Sequence, residues 1–183
     1  MGLPLTPVHQ WYDEPGFAGL LAPRLLDALA ALPLPGGRAA VLFTAHSLPV
    51  RAVGDYAHQL EASAAAIAGA AGLAGGWRVA WQSAGRTPEP WIGPDVLEVV
   101  RGLPAEGYGG VVVCPVGFVA DHLEVLYDLD VEARRVAGEA GLAFGRTASL
   151  DDDPGLLALL ARVVRRAAGD GVDGAPGGEA GRA

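Results

Sequence analysis

The sequence predicts an α/β fold, a parallel sheet of about four strands flanked by helices. Two observations carry this. Short, continuously apolar runs of strand length recur along the chain, and stretches with apolar residues at helical spacing separate them. Strands that are apolar throughout, rather than alternating, are buried on both faces, as in parallel sheets covered by helices.

The elements follow in order. Over residues 15–32, Phe17, Leu20, Leu21, Leu25, Leu26, Leu29 and Leu32 recur at spacings of three and four, which predicts an amphipathic helix ended by the Pro33 to Gly37 turn. Residues 39–45 form the first apolar run, 77–82 the second and 111–116 the third, with a less apolar fourth at 142–146. Helical patterns at 55–71, 94–103, 121–140 and 154–168 lie between and after them. Asp151-Asp152-Asp153-Pro154 reads as a turn whose acids favour the N-terminus of the last helix. After Ala168 the chain turns to Gly, Asp and Pro and cannot bury enough apolar surface to offset the entropy of ordering. The expected organisation is a lead-in at 1–14, one α/β lobe at 15–168 and a disordered tail at 169–183.

Composition excludes several classes. The net charge is −8 and all 13 cations are arginine, so no basic stripe exists for nucleic acid. Charge, Gly or Pro interrupts every apolar run well short of the ~20 residues a membrane span needs, and no basic n-region opens the chain. A soluble, cytoplasmic protein is expected. The single Cys114 sits in an apolar run and reads as a small buried hydrophobe. No GxGxxG follows a strand, and Walker, CxxC, HExxH and GxSxG patterns are absent, which disfavours nucleotide chemistry and serine nucleophiles.

In a doubly wound sheet ligands bind outside the carboxyl ends of the strands, so the residues after each run are the site candidates. His46 directly follows the first run; an imidazole there suits proton transfer or a divalent metal, or is a structural histidine satisfied by backbone. His9 and His58 read as solvated. After the third run, Glu124, Asp128 and Glu132 recur every four residues along one helix face, with the nearest arginines, Arg134 and Arg135, at the far end. Such a line of carboxylates can relay a hard cation from solvent, or be a solvated face placed where the helix dipole favours acids. Asp121 reads as an N-cap, with Glu124 completing a capping box.

These strand ends together resemble the ferrochelatase family. Leu42-Phe43-Thr44-Ala45-His46-Ser47-Leu48-Pro49 is similar to the family's histidine signature. The stretch from Trp81-Gln82-Ser83-Ala84-Gly85-Arg86-Thr87-Pro88 to Asp95 resembles its middle motif, and Pro115-Val116-Gly117-Phe118-Val119-Ala120-Asp121-His122-Leu123-Glu124-Val125-Leu126-Tyr127-Asp128 its acidic-helix motif. The similarity runs from about Pro15 to Val164 in the same order and spacing, and it corresponds to the C-terminal half of the family's chain.

The resemblance implies one of two similar lobes that grip a porphyrin between them, with ferrous iron as substrate and no organic cofactor. It implies His46 and Glu124 as catalytic residues, and His46, Glu124, Asp128 and Glu132 as metal-handling ones. Coproporphyrin III is the expected substrate over protoporphyrin IX, and one cysteine cannot supply a four-thiolate iron–sulfur cluster. The expected partner is the N-terminal lobe on a separate polypeptide or a second copy of this chain. Two alternatives stay open, a homodimeric short chelatase of the sirohydrochlorin cobaltochelatase type and a non-catalytic tetrapyrrole- or metal-binding remnant.

Overall fold

A computed structural model of the chain describes residues 5–34 and 37–169. The predicted tail therefore lies outside the described residues, apart from Gly169, and so do Pro35 and Gly36 of the first turn. The elements are α1 (Phe17–Ala31), β1 (Ala39–His46), α2 (Tyr56–Ala70), β2 (Trp77–Gln82), α3 (Val96–Gly102), β3 (Gly110–Cys114), α4 (Leu123–Val125), α5 (Arg134–Glu139), β4 (Ala143–Arg146) and α6 (Pro154–Ala168). A π-helix, Leu126–Ala133, joins α4 to α5 without a break.

The strands form one parallel sheet in the order β2-β1-β3-β4. The α/β expectation, four strands and flanking helices, is what the chain adopts. Because β2 lies on one side of β1 and β3 on the other, the chain reverses its direction of winding at β1, and a crevice opens at the carboxyl ends of β1 and β3.

Side chains of a strand point alternately to opposite faces, and both faces here are apolar. Val41, Phe43, Ala45 and Val112 pack on one side against Leu21 and Leu25 of α1, Leu60 and Ile67 of α2, and Leu159 of α6. Ala40, Leu42, Val111 and Val113 pack on the other side against Val96 and Val100 of α3, Leu129 of the π-helix and Val136 of α5. Hence every residue of β3 is buried. The strand stops at Cys114 because Pro115 has no N–H to continue the ladder.

Local chemistry sets the boundaries. Asp153 caps α6 by accepting from the Gly155 and Leu156 amides, with Pro154 at the first helical position, as the acidic turn predicts. Gly169 closes the helix in the left-handed conformation. The lead-in runs against α2, where Gln59 donates to Gln10 Oε1 (2.8 Å), Ser63 to the Tyr12 carbonyl (3.1 Å), and Trp11 packs edge-on to Phe17 at 5.3 Å.

The predicted helix over 121–140 is the main departure. It starts later, at Leu123, and its middle is π-helical: the Arg134 N–H reaches back to the Leu129 carbonyl. His122 precedes the first turn with no side-chain cap bond, and Asp121 is committed elsewhere. The capping box expected of Asp121 and Glu124 does not form, because the carboxylate of Asp121 finds a guanidinium and a hydroxyl instead of helix amides.

Candidate functional site

His46 is the last residue of β1, paired in register with Gln82 at the end of β2. Its Nδ1 lies 2.5 Å from the Ser47 carbonyl oxygen. A carbonyl can only accept, so Nδ1 carries a proton, which leaves Nε2 as the nitrogen free to meet a proton or an ion. Glu124 stands opposite, its Oε2 4.0 Å from Nε2. Both side chains reach solvent, 35% exposed for His46 and 59% for Glu124, so the pair sits on an open wall.

The surroundings are aromatic. Phe118 lies 6.5 Å from the His46 ring and 5.0 Å from His122. Tyr56 stacks at a tilt on Trp81, 5.5 Å away; burial pushes its phenol above the ordinary value, with the backbone of His46 working the other way.

The loop after β1 and the one after β2 are stitched together, which fixes the approach to His46. Ser47 Oγ donates to the Ile92 carbonyl at 2.7 Å, the Ile92 amide to Leu48 and the Val50 amide to Pro90, both at 2.9 Å. Trp91 lies close against Gly85, where a β-carbon would meet its ring at 2.4 Å, and its Nε1 donates to Thr87. The long middle motif thus folds back on the histidine loop.

Asp128 and Glu132 lie farther along the helical segment. Asp128 accepts a hydrogen bond from Ser83, a residue in the left-handed region at φ 61°. Both acids line a polar cavity of about 280 Å³ with Gln82, Ser83, Arg86 and Tyr127. Gln82 is 1% exposed; its Oε1 accepts from Thr44 at 2.9 Å, while its amide nitrogen has no hydrogen-bond partner among the described residues. Arg134 pairs with Asp130 and Arg135 with Glu139, so neither arginine neutralises the predicted carboxylate line.

The structure therefore brings His46 and Glu124 together and sets Asp128 and Glu132 against β2. Among the described residues no three His, Cys, Asp or Glu side chains converge as a ready cage for a metal. His58 is exposed; His9, also exposed, lines a second cavity of about 320 Å³ beside Tyr56 and Gly117. No helix among the described residues is long and apolar enough to cross a membrane. Sequence reasoning placed Ser83 and Gly117 in the strand-end motifs without giving either a role, and missed Arg146. The strand-end rule applied to the fourth run would have flagged Arg146, the last residue of β4.

Comparison with known proteins bears directly on this arrangement. The family model described as ferrochelatase matches residues 1–168. The chain is 46% identical to a ferrochelatase of Herpetosiphon aurantiacus over 87% of its own length and 53% of the relative. It is 46% identical to a coproporphyrin III ferrochelatase of Geobacillus kaustophilus over 89% of this chain and 53% of that one. With a ferrochelatase of Thermus thermophilus the identity is 47% over 87% of this chain and 51% of the relative. The chain spans about half the length of these curated relatives. The family match over residues 1–168, with relatives at 46–47% identity, places this chain in the ferrochelatase family.

Proposed function

We propose that this chain forms one wall of a metal-insertion site that places ferrous iron in a porphyrin. The observation that carries the reading is His46 Nε2 held 4.0 Å from the Glu124 carboxylate at the mouth of the β1/β3 crevice. Insertion requires loss of two pyrrole N–H protons while the ion sheds water, and a neutral imidazole beside a carboxylate serves both needs. The Nε2 lone pair of His46 accepts one pyrrole proton at a time and hands it to Glu124, which frees the same lone pair to meet the incoming ion. Asp128 and Glu132 conduct ions or protons between the pair and solvent, with Ser83 orienting Asp128.

The substrate we favour is coproporphyrin III, since several relatives, including those of Geobacillus kaustophilus and Bacillus subtilis, carry that name. Because the site is an open wall, a second body closes it over the macrocycle, either the counterpart of the relatives' other half or a second copy of this chain. The test is anaerobic insertion of Fe²⁺ into coproporphyrin III and protoporphyrin IX, followed by absorbance, with the chain alone and with a separately expressed N-terminal half of a relative. The expected result is turnover in at least one arrangement, faster with coproporphyrin, and lowered by about 100-fold or more in His46→Ala. Turnover that survives His46→Ala overturns the assignment.

A further inference from the structure

Arg146, the last residue of β4, is 12% exposed at its side chain and reaches two separate carboxylates. Its Nε and Nη2 donate to Asp130 at 3.1 and 3.0 Å, and its Nη1 and Nη2 donate to Asp121 at 2.9 and 3.2 Å. Each pair is a two-pronged contact that the planar guanidinium makes and an ammonium cannot. Nη1 also faces the Thr147 carbonyl at 3.3 Å. Ser149 adds a 2.5 Å bond to Asp121, whose own amide donates to Asp151 Oδ1 at 2.9 Å.

The two carboxylates bracket the segment that matters. Asp121 precedes α4, Asp130 lies in the middle of the π-helix, and Glu124 and Asp128 sit between them in sequence. A π-helix is rare and is found mostly as a short insert in an α-helix, frequently at a functional site. The first turn here has no side-chain cap to hold it. Arg134 also touches Asp130, at 3.6 Å and from the exposed side, so Arg146 is the partner that ties the π-helix to the sheet.

We propose that Arg146 is a positioning residue that holds the π-helix in register and thereby sets Glu124 opposite His46 and Asp128 against Ser83. Burial works against the charge on Arg146, yet the Asp130 and Asp121 bonds outweigh it and raise its pKa. Asp121, for all its burial, is held below the usual carboxylate range by Arg146 and Ser149. This deepens the reading of the His46–Glu124 pair and rests on it for its kinetic consequence alone.

The test is hydrogen exchange by mass spectrometry on the full chain and its Arg146→Met, Arg146→Lys and Asp130→Asn variants. Arg146→Met and Asp130→Asn should speed exchange of amides 123–133 by about tenfold or more while α1, α2 and α6 keep their protection. Arg146→Lys, which can reach one carboxylate as a point charge, should recover part of it. Unchanged exchange in Arg146→Met, or faster exchange spread evenly over the chain, overturns the clamp. In the insertion assay Arg146→Met should lower kcat and leave the porphyrin KM in place, and the reverse split overturns the link to Glu124. Absence of turnover by the wild type in every arrangement overturns the proposed function instead, and the exchange pattern then decides the clamp by itself.

Discussion

Gly117 crosses the end of β1 hard against Ala45: a β-carbon on Gly117 would stand 2.4 Å from the Ala45 Cβ and 2.8 Å from its Cα. The Gly117 amide meanwhile donates to the Thr44 carbonyl at 3.0 Å, so the loop cannot rise to make room without losing that bond. This contact is what lets the chain after β3 pass beside His46. Gly117→Ala is expected to destabilise the fold by about 1–3 kcal/mol through overpacking, measured by urea unfolding. An unchanged midpoint would mean that the loop relaxes freely.

Glu124 is the easier of the facing pair to alter without disturbing packing, since it is mostly exposed. Glu124→Gln keeps the shape and removes the charge. Stability should stay within about 0.5 kcal/mol of the parent, whereas the proposed insertion rate should fall about tenfold or more. Retained turnover would leave His46 to work without a charged partner.

Leu129 is fully buried on the inner face of the π-helix, packed with Val100, Val111 and Val125. Truncation there removes transfer energy and leaves a cavity. Leu129→Ala should cost about 2–5 kcal/mol in chemical unfolding. A smaller loss would show that α4 and the π-helix collapse into the space.

Cys114 is wholly buried at the end of β3, and burial pushes its thiol up to about 12. At pH 8 a disulfide reagent such as DTNB should therefore leave the folded chain unlabelled and react fully only once urea unfolds it. Rapid labelling of the native chain would show that the strand end opens.

Asp153 is held below the ordinary carboxylate range, first by the Arg24 guanidinium 2.7 Å away and then by the helix amides it caps. A carboxyl whose folded pKa is depressed stabilises the fold above its unfolded value, about 3.9, and that contribution is lost as pH falls through the lower folded value. Asp121 acts in the same direction. Unfolding midpoints should thus drop below about pH 4, and Asp153→Asn, which still caps, should flatten the drop. An identical acid limb in the variant would remove Asp153 from this account.

The sequence determined the alternation of strands and helices, the burial of both sheet faces and the placing of His46 and Glu124 after strands, while the family resemblance raised those two above the other candidates. Each of these depends on local pattern: apolar periodicity marks an element, and position after a strand marks the crevice. The acidic turn at Asp153 was legible for the same reason, because a cap acts on amides only two and three residues away.

Tertiary structure alone decided the rest. Whether Glu124 reaches His46 depends on which strands lie side by side, and the order β2-β1-β3-β4 sets that. The capping box failed because Asp121 was claimed by Arg146, 25 residues later in the chain. The same guanidinium reaches Asp130 inside the π-helix, a geometry that spacing of Glu124, Asp128 and Glu132 by fours does not distinguish from an α-helix. Contacts between residues distant in sequence leave no period to read; packing brings them together, and hydrogen-bond competition between them chooses the partners.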